Sequence, residues 1–198
     1  MYGKKRVLSR LGQNRGFFLN RSFLDRKRGQ IWVETIIYTL IAFALIGLVL
    51  AFVKPKIEEI QDRSVIEQSI SILEDIDLII NTLGDSGNQR VITLGISKGV
   101  LDIDGENDKL FFEIESRNIY SEPGKNVTIG NVIVFTEKKG RINEVTLTRN
   151  YKGEYNITYQ NMDELRKISK ASTPYTLLIA NKGKDSLNKM IINIEVIS

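Results

Sequence analysis

Residues 35–53 read TIIYTLIAFALIGLVLAFV, a run of 19 residues without a charge. At a rise of about 1.5 Å per residue, such a run forms a helix long enough to cross the hydrocarbon core of a bilayer. With the four residues before it, the apolar segment covers residues 31–53 and contains one formal charge, Glu34. A buried helix of a soluble protein is rarely this uniformly apolar, so the sequence predicts a membrane-spanning helix.

The charge distribution around this segment predicts its orientation. Residues 1–29 carry nine Lys or Arg and one acid, a net charge of +8, whereas residues 30–198 carry 19 bases and 23 acids. Only Lys54 and Lys56 follow the segment closely. By the positive-inside rule, the N-terminus is cytoplasmic and the residues after Lys56 lie outside the cell. Because the basic excess belongs to the tail, it does not indicate nucleic-acid binding by the folded part.

The helical pattern continues beyond the apolar segment. Between residues 57 and 83, apolar residues recur at helical spacing with acids largely between them, which predicts an amphipathic helix with one stripe to bury. Pro55 at the junction removes one backbone hydrogen bond and is expected to kink the helix rather than end it. The predicted helix covers residues 30–83, and residues 84–89 form a Gly-rich linker. The stripe consists of Ile57, Ile60, Ile66, Ile70, Leu73, Ile76, Ile80 and Leu83.

Residues 90–198 have the pattern of a β domain, with short runs of Val, Ile, Thr, Tyr and Phe between turn clusters. Eight strands at this spacing predict an antiparallel, immunoglobulin-like β-sandwich, and therefore an α+β fold for the chain. Residues 163–168 are predicted to form a short helical turn. We expect the sandwich to fold without the helix, because its strands alternate apolar and polar residues. The predicted strands are residues 90–96, 99–103, 110–114, 131–136, 144–148, 155–159, 175–180 and 190–197.

Catalysis and metal binding are not indicated by the composition. The chain has no Cys and no His, which excludes disulfides, thiol chemistry, imidazole-based triads and the usual zinc ligand sets. The remaining acids, Lys and Tyr form no recognisable catalytic set, so we predict no catalytic residue, no metal ligand, no cofactor and no enzymatic activity. Asp102, Asp104, Glu106 and Asp108 lack the spacing of an EF-hand and are interpreted as a hairpin turn.

The junction between the basic tail and the apolar helix carries the most specific motif. Residues 25–34 read DRKRGQIWVE, in which a basic stretch ends at Gly29 and an acid, Glu34, is the fifth residue after it. This junction resembles the class III signal peptide of type IV pilins, and with Gln30 it is similar to the archaeal pilins and archaellins. The resemblance implies cleavage by a prepilin peptidase between Gly29 and Gln30. It also implies that Gln30 and Glu34 are assembly residues.

The resemblance is specific over residues 26–53, extends by architecture to residue 83 and is generic for the β domain. Trp32 and Tyr38 stand where the archaeal sequences more often have Ser and Leu. The family implies that residues 1–29 are a leader that is removed. The helix would then lie in the membrane before assembly and in a filament core afterwards, with the β domain on the outside. The implied partners are other copies of the chain, the prepilin peptidase, an assembly platform protein and its ATPase.

Glu34 is also singled out by physical chemistry. A carboxylate inside an apolar helix is costly in lipid unless it has a partner, and such residues are usually functional. Cleavage after Gly29 would free the α-amine of Gln30, a cation that Glu34 of a neighbouring subunit could meet in an apolar filament core. Alternatively, Glu34 lies just inside the headgroup layer and caps the first helical turn.

The sequence leaves a choice between three functions. The chain is a filament subunit, a permanently membrane-anchored surface protein whose β domain binds a ligand or partner, or a minor pilin that caps or primes a filament. The stripe of residues 57–83 favours the filament, because an isolated anchored helix could bury the stripe only against its own β domain.

Two sequons lie on the side predicted to be extracellular. Asn126 and Asn156 each begin an Asn-x-Thr sequence and are possible N-glycosylation sites. A third sequon begins at Asn20 in the leader, on the cytoplasmic side, and is therefore not considered.

Overall fold

The computed structural model describes the backbone of residues 22–197 and the side chains of residues 31–197. One long N-terminal helix is followed by ten β-strands in two sheets, which confirms the predicted α+β class. The described part of the chain divides into two units between Ala51 and Phe52. The elements are α1 (Ser22–Thr82), β1 (Gln89–Leu94), β2 (Val100–Asp104), β3 (Lys109–Ser116), β4 (Asn126–Ile129), β5 (Val132–Lys139), β6 (Ile142–Asn150), β7 (Tyr155–Tyr159), β8 (Leu165–Ser169), β9 (Tyr175–Lys184) and β10 (Met190–Val196).

Helix α1 has 61 residues and is not interrupted at Pro55, which lies inside it. The helix therefore continues past Pro55, which agrees with the prediction from the sequence. The predicted kink at Pro55 stays a prediction. The helix stops where Gly84 adopts a φ of +73°, a left-handed conformation that glycine takes without strain and that commonly follows a helix C-terminus.

The ten strands form a four-stranded sheet of order β1-β9-β10-β7 and a six-stranded sheet of order β4-β5-β6-β3-β2-β8. Nearly all neighbouring strands are antiparallel, as predicted. The exception is β7, which pairs parallel to β10 from Tyr155 opposite Met190 to Tyr159 opposite Ile194. The long connection between these two strands contains β8 and β9, so a parallel pair is sterically accessible here.

Two of the strands, β4 and β8, were not predicted from the sequence. Residues 163–168, which were expected to form a helical turn, instead include most of β8. Leu165 and Ile168 are three residues apart, which is a helical spacing, but only Ile168 is buried. Cross-strand pairing with β2 decides the conformation, and Lys167 lies opposite Asp102 in that pairing.

The core of the second unit is shared by both sheets and α1. From Ile66 to Leu83 the predicted stripe is buried in the same apolar cluster as the inner faces of the sheets. Ile57 and Ile60, at the start of the stripe, remain exposed at 48% and 68%. The strands were expected to fold without the helix, but the helix contributes six side chains to their core. The six buried stripe residues are Ile66, Ile70, Leu73, Ile76, Ile80 and Leu83.

The segment predicted as a linker is held against the four-stranded sheet by Asn181 of β9. The Asn181 side chain donates to the carbonyl oxygen of Gly84 at 2.7 Å, and its backbone carbonyl accepts from Gly87 at 2.8 Å. The Asn181 amide also donates to the carbonyl of Asn88 at 2.9 Å. These bonds fix the connection between helix and sheet, so it is not a hinge between separately folded parts.

Candidate membrane and assembly segment

Residues 31–57 of α1 are exposed on every side of the helix. This part contains an apolar window with a mean hydropathy of 2.8, of which no part is buried. Large side chains are exposed at both ends of the apolar segment, with Trp32 at 72% and Phe52 at 71%. A core helix of a soluble protein would be mostly buried. The exposed surface is therefore compatible with membrane anchoring, as the sequence analysis expected.

Glu34 is the only acid or base in residues 31–53. The hydroxyl of Tyr38, one helical turn later, donates a hydrogen bond to Glu34 Oε1 at 3.1 Å. Tyr38 was noted in the sequence only as a departure from the archaeal pattern. Its spacing of four residues from Glu34 is the signal that could have identified the contact.

The predicted cleavage residues Gly29 and Gln30 lie within the backbone of α1. The side chain of Gln30, and the leader residues 1–21, lie outside the part of the chain that the structure describes. Their proposed roles in cleavage and assembly stay predictions.

The second half of α1 is bound to the β domain by two buried acids. The first, Asp62, forms an ion pair between its Oδ1 and Lys98 Nζ at 2.5 Å, and its Oδ2 accepts from the backbone amide of Arg117 at 2.7 Å. The Arg117 guanidinium returns to the helix and lies 2.5 Å from Glu58 Oε2. These contacts attach the helix to the loop after β1 and to the end of β3.

The second acid, Asp77, is only 4% exposed and is fully engaged by the β domain. Its Oδ1 pairs with Arg149 Nε of β6 at 2.7 Å, and its Oδ2 accepts from the Asn131 side chain at 2.8 Å. A second nitrogen of Arg149 lies 2.9 Å from Glu154 Oε2. We call Asp62 and Asp77 with these partners the polar clasp.

The clasp lies against a buried aromatic ring. The Arg149 guanidinium is stacked over Tyr151, 4.4 Å from the ring centroid. Burial, reinforced by the negative charge of Asp77, raises the pKa of Tyr151 strongly. Burial acts to lower the pKa of Arg149, but its hydrogen bonds to Asp77 and Glu154 outweigh burial and raise it. Arg149 therefore keeps its positive charge in the fold.

The clasp was not predicted from the sequence, where Asp62 and Asp77 are two of the acids that lie largely between the stripe positions. Their spacing contains the missing signal. Asp62 is four residues before Ile66, and Asp77 is four residues after Leu73, so both acids lie next to the buried stripe. An acid at such a position needs a partner from the opposing surface.

The two possible glycosylation sites differ in accessibility. Asn126 is exposed at the start of the edge strand β4. Asn156 is half-buried in β7, and the threonine of its sequon, Thr158, is buried and bonded to the Asn193 side chain at 3.0 Å. The structure therefore favours Asn126 as an acceptor, and modification of either residue stays a prediction.

The acids of residues 102–108 were predicted to form a hairpin turn, but Asp102 lies inside β2, where it is buried and pairs with Lys167 of β8 at 3.2 Å. Asp104 and Asp108 lie at the two ends of the β2–β3 turn. Asp104 pairs with Lys109 across the turn, and its Oδ1 accepts from the amide of Asn107 at 3.1 Å. Asp108 Oδ1 accepts from the amide of Ile157 at 2.9 Å. Within residues 31–197, no group of three or more acids is arranged to hold a metal ion.

A cleft of about 600 Å³ lies between α1 and the loops that carry Lys98 and Arg117. Its lining includes Glu58, Asp62, Lys98, Glu115 and Arg117. Lys98 is paired with Asp62, and Arg117 with Glu58, in the contacts described above. The cleft therefore presents no free charged group among these four to a ligand.

Comparison of the chain with protein-family models, with curated proteins and with solved structures gives no significant match.

Proposed function

We propose that the chain is a pilin-like subunit of an extracellular filament, with its apolar helix in the filament core and its β domain on the outside. The observation that carries the proposal is Glu34. It is the only charge in the apolar residues 31–53, which are exposed on every side and follow the basic–Gly29–Gln30 junction. An exposed apolar helix needs lipid before assembly and other helices afterwards. A carboxylate at its start needs a cation, which the α-amine of Gln30 from a neighbouring subunit would supply.

In this proposal the subunit is first a single-pass membrane protein with a cytoplasmic N-terminus. A prepilin peptidase removes residues 1–29, and a platform protein with its ATPase assists assembly. The filament then displays the β domain, residues 90–198, at the cell surface. The principal partners are other copies of the same chain, and no catalytic step is assigned to it.

The alternative function is a permanently anchored surface protein, and one observation favours it. Six stripe residues between Ile66 and Leu83 are buried against the chain's own β domain, so they do not require neighbouring subunits. This removes the argument from the stripe that had favoured a filament. A minor pilin, which is processed but caps or primes a filament, combines elements of both functions.

Intact-mass measurement and N-terminal sequencing of surface material from cells that express the chain test the proposal. We expect a chain that begins at Gln30, and we expect replacement of Gly29 by a bulky residue to block cleavage. A surface chain that still begins near Met1 would contradict the filament and support the anchor. The same mass spectrum reports any glycan, which we expect first at Asn126.

A further inference from the structure

Three hydroxyl-bearing side chains lie near Glu34, and they make different hydrogen bonds. Thr35 Oγ1 donates to the carbonyl of Ile31 at 3.0 Å, and Thr39 Oγ1 donates to the carbonyl of Thr35 at 2.8 Å. The Tyr38 hydroxyl donates to Glu34 Oε1 at 3.1 Å. Both threonine hydroxyls are thus bonded to the helix backbone, whereas Tyr38 is bonded to the carboxylate.

A carboxylate in the apolar layer needs a hydrogen-bond donor within reach, because lipid chains offer none. Tyrosine suits this role, since its ring is apolar and its hydroxyl is polar. The spacing of four residues places the two side chains on the same face of α1. The contact is therefore available to a single subunit, before any neighbour provides a cation.

We propose that Tyr38 is a positioning residue for Glu34: its hydroxyl bonds the carboxylate within the membrane and so holds the start of the apolar helix in the hydrocarbon layer. The inference rests on the membrane-spanning part of the proposed function and requires neither cleavage nor polymerisation. Without the hydroxyl, Glu34 must find donors in the headgroup layer, and the start of the helix moves toward that layer.

The chain contains a natural probe of this movement. Trp32 is its only tryptophan, and it lies two residues before Glu34 with an exposed side chain. Its fluorescence therefore reports the depth of this helical turn without any label. The depth can be read from quenching by bromine atoms placed at shallow or deep positions in the lipid chains.

The experiment uses the full chain in phosphatidylcholine vesicles that carry such brominated lipids. For Tyr38→Phe we expect Trp32 emission to shift to longer wavelength, with less quenching by deep bromines and more by shallow ones. In a Glu34→Ala background, the same replacement should leave Trp32 at its depth or move it deeper, because phenylalanine is the more apolar residue. The sign of the change thus depends on Glu34.

Thr39→Val is the matched control, because it removes a hydroxyl that is bonded to the backbone rather than to Glu34. We expect it to have the same effect on Trp32 with or without Glu34.

A Tyr38→Phe shift that is equal in both backgrounds, or absent from both, would overturn the inference while leaving the proposed filament untouched. If bromines fail to quench Trp32 in the unmodified chain, the membrane span itself is contradicted, and this inference falls with it.

Discussion

The two halves of α1 contain similar apolar residues but differ in what surrounds them. In residues 31–57 the apolar side chains cover the whole circumference and are all exposed. In residues 58–83 they form a stripe, and from Ile66 onward that stripe is buried in the β domain. The first half needs an external apolar environment, whereas the second half is completed within its own chain. The arrangement of apolar residues around the helix, more than their number, decides which half stays exposed and which half packs on the β domain.

The acids of the two halves also differ in where their partners lie. Glu34 in the first half has one hydrogen-bonding side chain, Tyr38, on the same helix. Asp77 in the second half is held by Arg149 and Asn131 from the β domain. In the second half, the cation that pairs with Asp77 belongs to the same chain. For Glu34 in the first half, we expect the cation to come from a neighbouring subunit on assembly.

The largest expected effect is the loss of folding when the second half of α1 is removed from the β domain by truncation. A fragment of residues 57–198 should be folded, soluble and cooperative in denaturation, whereas residues 84–198 should be molten or aggregated. The shorter fragment lacks the six buried stripe residues, each worth about 1.5–3 kcal/mol of burial, which together rival the stability of a typical domain. Circular dichroism and urea denaturation of both fragments provide the measurement. A cooperative fold of residues 84–198 would show that the helix is dispensable.

The next effect tests the polar clasp in the fragment of residues 57–198. Asp77→Ala removes the counter-charge of the buried Arg149 and should lower the free energy of unfolding by about 3–5 kcal/mol. Glu67→Ala is the matched control, since it removes an acid of the same helix whose ion pair with Arg63 is exposed. It should change stability little. Equal losses in the two variants, measured by urea denaturation, would contradict the role of the clasp.

The smallest expected effect is a pH dependence of the unfolding free energy that is caused by Tyr151, the ring that lies against the clasp. The unfolded chain loses its tyrosine protons near pH 10.0, while folded Tyr151 keeps its proton because its pKa is raised. Above that pH the unfolded state binds fewer protons than the folded state, so stability falls as pH rises. Between about pH 8 and about pH 11, the unfolding free energy of Tyr151→Phe should therefore fall less steeply than that of the unmodified fragment. Parallel slopes would contradict the burial of a protonated Tyr151.

Much of the fold could be predicted because its signals are local. The uniform apolar run of residues 35–53, the helical spacing after Lys56 and the turn clusters of the β domain each indicate their own element. The errors arose where distant residues decide. Strand β8 exists because it pairs with β2, and the stripe is buried because both sheets close over it. Such pairings are not encoded in any single window of sequence.

The candidate site shows the same limit. Glu34 could be identified because a charge in an apolar run is visible in the sequence. The acids of the clasp could be found from their spacing, but their partners could not, because Asp77 and Arg149 are 72 residues apart and only the fold brings them together. Tyr38 was within reach of sequence reasoning through its spacing from Glu34, but its hydrogen bond becomes evident only from the side chains.

The most direct test of the proposed function is filament formation by Glu34→Ala and Glu34→Gln in cells that make filaments from the unmodified chain. We expect both variants to be cleaved and to reach the membrane, yet to release few or no filaments. Each lacks the charge that should pair with the α-amine of Gln30, and breaking such a buried pair costs about 3–5 kcal/mol per subunit. Glu67→Ala, in the half of α1 that is docked on the β domain, should still form filaments. Normal filaments from Glu34→Ala would contradict the role assigned to this residue, even if cleavage after Gly29 were confirmed.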